Sequence, residues 1–243
     1  MSKYQIHKYY LKDSYIHTLN PILKVITLIL LSITSILIKN IYSFLISLTI
    51  TITLLLLSKI NIKIYIKSIY KIKILLIFIF IINIIFKINI FTNLLSIYKI
   101  INIVLISIMV TMTTPPTELT YALEKIMSPL NKFIKVKEIS LMLTLAIRFI
   151  PSIIEQSERI IKAISVRGID FKGSIKDKIN IISILIIPMF TSVIRKSDAT
   201  SDVMTLRMYN YTNNRTNYRM NPWKIQDTIT LICILIFLLL EII

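Results

Sequence analysis

Cysteine, glycine and histidine are scarce in this 243-residue chain, which has one cysteine, two glycines and two histidines. The single Cys233 excludes an intramolecular disulfide framework. The sequence also contains no H-E-x-x-H, C-x-x-C or G-x-S-x-G motif, so the usual marks of a zinc site, a redox pair or an esterase are missing. We therefore expect no catalytic residue, no metal site and no cofactor.

One segment comes close to a nucleotide-binding motif. Residues 168–174 have the glycine spacing of a phosphate-binding loop, but the lysine that should follow Gly173 is missing and the sequence predicts no strand before it. We expect the isolated chain neither to bind nor to hydrolyse ATP.

Acidic residues are also few, and none lies in the first four apolar runs of the chain. An ion-coupled transporter usually carries Asp, Glu or His inside its membrane spans. A protein of this composition that moves a solute must therefore take the energy from another protein.

Apolar residues, by contrast, make up 55% of the chain, and the mean hydropathy is +0.76. This composition excludes disorder, and five runs approach the roughly 20 residues that a helix needs to cross a bilayer. Lys24 lies near the end of the first run, where its side chain can snorkel. The sequence predicts an all-α integral membrane protein with about five spans: Ile22–Ile38, Ile41–Leu57, Ile72–Phe86, Ile100–Thr114 and Thr228–Leu240.

The distribution of basic residues predicts the orientation of the spans. With the N-terminus inside, 25 Lys and Arg residues fall on the cytoplasmic side and only three outside. This asymmetry is the positive-inside pattern of membrane proteins, so the net charge of +17 does not indicate a nucleic-acid partner. We expect a multi-pass protein of the cell membrane with a cytoplasmic N-terminus.

The long segment between the fourth and fifth runs differs in composition, because it holds all seven arginines and both glycines. Its two apolar stretches, 139–150 and 179–194, contain or adjoin Arg and Pro and are interpreted as amphipathic helices at or under the membrane rather than as spans. The sequence thus predicts a membrane region at 1–114, a cytoplasmic region with long helices at 115–224, and a final span at 225–243.

The ends of the two predicted cytoplasmic helices, Glu138–Arg167 and Lys178–Leu206, resemble each other. Residues 163–169 align with 203–209, and in both an apolar residue, a hydroxyl, an aliphatic residue and an arginine follow in order. An arginine at a helix C-terminus can simply complement the helix dipole, an effect of about 0.3–1 kcal/mol. The repeated pattern leaves a functional role for Arg167 and Arg207 equally open. Gly168 is expected to end the first helix.

These residues carry a resemblance to a known family. The chain resembles the T component of energy-coupling factor (ECF) transporters, the membrane subunit of vitamin and cobalt or nickel uptake systems. The similar segments are 13–21 with Lys24, 114–119, 123–124, 129–130, 145–151, 163–171, 187–188 and 206–209.

The resemblance implies a subunit without catalysis of its own, in a bacterial or archaeal cell membrane. In the family, two short Ala-Arg-Gly-like motifs dock onto two ABC-type ATPase subunits; here they read Val166-Arg167-Gly168 and Leu206-Arg207-Met208, the second without its glycine. The same helices carry a membrane-embedded S component that binds the substrate. The apolar residues that we assign to that surface are Leu141, Leu145, Phe149, Ile184, Ile187 and Phe190.

Two other functions fit the composition. A stand-alone carrier or channel would need no ATPase partner. A membrane-embedded enzyme that acts on lipid would need clustered acidic or histidine residues, whereas the acidic residues here resemble helix-surface pairs.

Overall fold

The computed structural model of the chain describes residues 14–167, 175–209 and 222–242; the side chains of 175–182 and 240–242 are outside the description. In these ranges the chain forms helices and no strand, which confirms the all-α prediction. The α-helices are α1 (Tyr15–Thr18), α2 (Pro21–Leu37), α3 (Ile41–Ser58), α4 (Ile62–Lys71), α5 (Lys73–Ile85), α6 (Ile90–Thr113), α7 (Pro116–Met127), α8 (Val136–Val166), α9 (Ile175–Leu206) and α10 (Ile225–Ile242).

All five predicted apolar runs are helical, but they differ in length. Among the described residues, α3 and α6 are long and apolar enough to cross a membrane. Helices α4 and α5 meet at an angle of 54° and count as a third span only if they are taken together. Helix α2 and the part of α10 whose side chains are described, Ile225–Leu239, are apolar but shorter, so five spans stay a prediction. The described parts of the long helices α8 and α9 are not apolar enough to be counted as membrane spans.

The fourth predicted span begins too late: the helix starts at Ile90 and not at Ile100. The polar residues in its first half are held by neighbouring helices. Asn93 is 2% exposed and accepts a hydrogen bond from the Asn83 side chain at 3.0 Å, and Lys99 Nζ donates to the carbonyl of Ile36 at 2.8 Å.

The chain divides into two compact units, residues 1–140 with 221–243, and residues 141–220. In the first unit, α2 packs against α6, α7 and α10, and α3 packs against α6 and α10. Its core includes a cluster of buried aliphatic residues from α2, α3, α6 and α10, namely Leu31, Ile50, Ile106, Ile234 and Leu238. Residues 115–127, which contain the Pro115-Pro116 break and α7, therefore pack with the apolar helices.

Two buried charged residues tie the helix ends of the first unit together. The sequence predicts that the Lys24 side chain snorkels, but in the structure it does not, because the residue is 2% exposed. Its Nζ donates to the carbonyls of His17 and Thr113, both at 3.2 Å. Asp227 is 1% exposed and accepts from the backbone N–H groups of Asn20 and Lys224, both at 2.8 Å. These contacts satisfy helix-end groups that would otherwise be buried without partners.

Candidate functional site

The second unit contains the helices to which the sequence assigns the candidate site. Helix α8 continues through Pro151 and α9 through Pro188. The two helices approach each other where Lys196 Nζ donates a hydrogen bond to Ser152 Oγ.

A groove lies on each side of this contact. The larger has a volume of about 630 Å³ and is lined by Leu141, Leu145, Arg148, Phe149, Lys196, Ala199, Thr200, Val203, Met204, Arg207 and Tyr209. The smaller, of about 460 Å³, is lined by Ser152, Glu155, Gln156, Arg159, Ile160, Ala163, Ser192 and Lys196. The N-terminal half of α8 therefore faces the C-terminal half of α9.

This arrangement separates the two candidate arginines. Arg207 lines the larger groove together with Leu145, whereas Arg167 follows the last residue of α8. At a rise of 1.5 Å per residue, the stretch from Leu145 to Arg167 is about 33 Å long in a straight helix. The two helix ends thus lie on opposite sides of the Ser152–Lys196 contact.

The C-terminal end of α8 is exposed. Val166 is 88% exposed, and Arg167 is also exposed and donates its backbone N–H to the carbonyl of Ile164 at 3.1 Å. Ser165 Oγ donates to the carbonyl of Lys162 at 2.8 Å. Gly168, which we expected to end this helix, lies outside the described residues.

The C-terminal end of α9 is a Schellman motif without glycine. The N–H of Tyr209 donates to the carbonyl of Met204, and the N–H of Met208 donates to the carbonyl of Thr205, both at 2.9 Å. Met208 takes the left-handed conformation with φ of 51°, the position that glycine usually fills. Leu206 is 83% and Met208 72% exposed on either side of the exposed Arg207.

The two ends also share the hydroxyl interaction that the aligned sequences indicate. Thr205 Oγ1 donates to the carbonyl of Asp202 at 2.7 Å, three residues back, as Ser165 does in α8. Both hydroxyls are thereby used within their own helix, and each following arginine is the polar group that the helix end presents. Neither Arg167 nor Arg207 forms an ion pair with the described part of the chain.

The six residues that we assigned to the S-component surface fall into two groups. Leu141, Leu145 and Phe149 are half-buried and line the larger groove. Ile184, Ile187 and Phe190 line neither groove and are 44%, 67% and 65% exposed on α9.

The sequence did not assign seven residues of the larger groove to a site: Arg148, Lys196, Ala199, Thr200, Val203, Met204 and Tyr209. Arg148 was used only to exclude a span and as part of the similar segment 145–151, although it is three residues from Leu145 and therefore on the same helix face. Lys196 is likewise four residues from Thr200 and seven from Val203, which also line the groove. No helical spacing indicates that Tyr209 lines the groove, because its position depends on the left-handed turn at Met208.

In chemical terms this unit offers guanidinium groups and apolar surface. Among the described residues of the whole chain, no three His, Cys, Asp or Glu side chains are placed to hold a metal ion. Arginine presents a planar set of donors that matches carboxylates and carbonyls at a protein interface.

Comparison with known proteins agrees with the resemblance in the sequence. The family model described as cobalt transport protein, CbiQ, matches residues 12–218. The energy-coupling factor transporter transmembrane protein EcfT of Streptococcus equi subsp. equi (strain 4047) is 36% identical over 136 residues, which cover 55% of this chain and 51% of the relative. The EcfT proteins of Bacillus subtilis (strain 168) and Streptococcus thermophilus (strain ATCC BAA-250 / LMG 18311) are 33% and 38% identical over 136 and 135 residues, with the same coverage.

The chain thus spans about half the length of the curated relatives it matches. The family model, in contrast, covers most of the chain, including both helix ends. The sequence resemblance to ECF-type T components is confirmed, and the chain belongs to the cobalt transport protein family CbiQ.

Proposed function

We propose that this chain is the transmembrane coupling subunit of an ECF-type importer for a vitamin or a transition-metal ion. It links ATP hydrolysis by two ABC-type ATPase subunits to movement of a membrane-embedded, substrate-binding S component. It has no catalytic role itself. Its relatives are named energy-coupling factor transporter transmembrane proteins, and these names support the assignment.

The observation that carries the proposal is the pair of helix ends on opposite sides of the α8–α9 contact. Each presents an exposed arginine next to a large apolar side chain that is more than four-fifths exposed, Val166 in α8 and Leu206 in α9. Exposed apolar groups beside an arginine are typical of docking surfaces, where arginine is enriched. Two such ends on opposite sides of the α8–α9 contact suit two partner subunits better than one shared pocket.

The helices give these ends a mechanical role. Helix α8 has 31 residues and α9 has 32, and their side chains are joined at Ser152 and Lys196. When two ATPase subunits close on ATP, each moves the helix end that it holds. The motion reaches the helix surfaces between the two ends, where the S component docks.

We assign the S component to the apolar side of α9 around Ile184, Ile187 and Phe190, with the α8 residues Leu141, Leu145 and Phe149 as a second contact. Exposed apolar patches on a protein usually mark interaction sites. We also place residues 1–114 and 225–243 in the membrane, residues 115–224 on the cytoplasmic side, and the N-terminus in the cytoplasm.

Substitution of the two arginines tests the docking proposal. Loss of one partner of a buried charged hydrogen-bonded pair costs about 2–5 kcal/mol. We therefore expect Arg167→Ala or Arg207→Ala alone to weaken capture of one ATPase subunit. The double alanine variant should lose both subunits in affinity purification from membranes, while its amount in the membrane stays at the wild-type level.

The matched control is Lys162→Ala with Arg195→Ala, which removes two exposed positive charges from the same helices but not from their ends. This control should retain both ATPases. If the Arg167 and Arg207 double variant retained both as well, the arginines would be ordinary helix-end residues worth at most about 1 kcal/mol of helix stability each.

A further inference from the structure

We propose that the larger groove between α8 and α9 binds an anionic membrane phospholipid, with the phosphate held by its basic side chains and the acyl chains on its apolar wall. We call it the basic groove, lined by the eleven residues given above for the larger groove. The proposal does not depend on the coupling role of the chain. The groove shares Arg207 with the proposed ATPase contact and three α8 residues with the proposed S-component contact, so the lipid occupies it when those partners are absent.

The charge in the basic groove has one sign. Arg148, Lys196 and Arg207 line it, and no Asp or Glu is among the described residues that do. Lys196 uses one N–H on Ser152 and keeps two further donors, and each arginine offers a planar fork of donors that suits a phosphate. Three cations that face one cavity without a carboxylate favour an anionic occupant.

The wall of the groove is apolar. Leu141, Leu145 and Phe149 from α8 face Val203 and Met204 from α9 across a volume of about 630 Å³. This size lies within the range of about 300–1,000 Å³ that small-molecule sites occupy. A free phosphate or glycerol phosphate would leave this apolar wall in contact with water, whereas the chains of a phospholipid cover it.

The exposed apolar residues beside the groove indicate that the bound phosphate belongs to a lipid. Met142 and Leu143, which neighbour the groove on α8, are 64% and 42% exposed. Large apolar residues exposed beside basic residues on one helix are typical of helices that lie in the membrane interface and attract anionic lipids.

The test measures lipid binding by the 243-residue chain, purified alone in detergent, with native mass spectrometry. Phosphatidylglycerol should bind more tightly than phosphatidylcholine with the same chains, and glycerol 3-phosphate should bind much more weakly than either. In Arg148→Gln with Lys196→Gln, the affinity for phosphatidylglycerol should fall roughly fivefold for each charge removed. Arg207 stays unchanged, because it also belongs to the proposed ATPase contact.

The control variant Lys162→Gln with Arg195→Gln removes the same charge from the same helices outside both grooves. It should bind phosphatidylglycerol as the wild type does. If the Arg148 and Lys196 variant failed to fold, Arg148→Gln alone, at an exposed residue, should still lose about fivefold relative to Arg195→Gln.

Three results would overturn the proposal. The first is equal affinity of the wild type for the two lipids, and the second is an equal loss in the control. The third is a glycerol 3-phosphate affinity as high as that of the lipid, which would indicate a free anion. The first result, together with loss of the S component from the Arg148 and Lys196 variant in a separate affinity purification from membranes, would indicate that the groove binds a protein instead.

Discussion

Met208 shows, at the scale of a single residue, how the proposed docking motif at the end of α9 forms its turn without glycine. Its φ of 51° is a conformation that non-glycine residues adopt at a cost of roughly 1–2 kcal/mol. The two hydrogen bonds of the Schellman motif, from Met208 and Tyr209, hold the turn nonetheless. The exposed methionine side chain thereby stands beside Arg207, where glycine would leave only backbone.

Replacement of Met208 by glycine should stabilise this turn. Because glycine takes positive φ without steric cost, we expect Met208→Gly to stabilise the folded turn by about 1 kcal/mol. Hydrogen exchange of the Met208 and Tyr209 amides should then slow about fivefold. Thr205→Gly, within the helix, should instead destabilise it by roughly 0.3–0.5 kcal/mol and speed exchange. Faster exchange in Met208→Gly would contradict the strained-turn account.

The sequence could identify this position but not its conformation. The alignment of 163–169 with 203–209 places Met208 opposite Gly168. That alignment alone does not predict a left-handed turn at the second motif, because the glycine is missing there. The left-handed turn is there because the last carbonyls of α9 need partners, and any residue except proline can supply the N–H groups in this place. The preference of a left-handed position for glycine is weaker than the requirement that these carbonyls find hydrogen-bond partners.

At the scale of elements, hydropathy located the helices well and their ends less well. It placed the third span at 72–86 and α5 covers Lys73–Ile85. It placed the start of α6 ten residues late, because Asn93 and Lys99 look like loop residues until their partners Asn83 and the Ile36 carbonyl are known. Such pairings come from tertiary structure, which hydropathy does not contain.

The basic groove was hidden for a related reason. Helical periodicity puts Arg148 on the face of Leu141 and Leu145, and Lys196 on the face of Val203. Only the contact between Ser152 and Lys196 shows that these two faces are opposite each other. The sequence could therefore predict which residues share each helix face, but not that the two faces lie opposite each other in one groove.

The buried Asp227 leads to a prediction about how α10 joins the other helices. Its carboxylate accepts N–H groups from Asn20 and Lys224, one on each oxygen. In Asp227→Asn, the amide NH₂ would face one of these donors, so we expect a loss of about 1–3 kcal/mol of unfolding free energy. Thermal or denaturant unfolding of the detergent-purified chain measures it.

Asp202→Asn provides the control for Asp227→Asn, because Asp202 is exposed on α9. It should change the unfolding free energy by less than about 0.5 kcal/mol. Equal effects of the two substitutions would mean that the Asp227 contacts do not stabilise the junction.

At the scale of the whole molecule, the predicted orientation of the spans rests on a count of basic residues that assigns 25 to the cytoplasmic side and three to the outside. In a Cys233→Ser background, single cysteines at Lys39 and Asn89 should react with an impermeant thiol reagent from outside intact cells. Cysteines at Lys67 and Arg167 should react only after the membrane is opened. Both Lys39 and Asn89 lie between helices, at the short connections α2–α3 and α5–α6.

Labelling of the cysteine at 167 from outside would contradict the topology and would remove the basis for ATPase docking. Labelling of 39 and 89 only in opened cells would reverse the orientation of the whole chain. A chain that is labelled equally at all four positions would not have one fixed orientation.

The central claim is that the C-terminal ends of α8 and α9 dock onto ATPase subunits, and photocrosslinking in cells tests it most directly. A photoreactive amino acid at Val166 or Met208 leaves both arginines in place at residues that are 88% and 72% exposed. The same group at Tyr42 of α3, 77% exposed, is the control. The account predicts that positions 166 and 208 each crosslink to an ABC-type ATPase subunit and that position 42 does not. ATPase crosslinks at neither end, or equally at position 42, would contradict it.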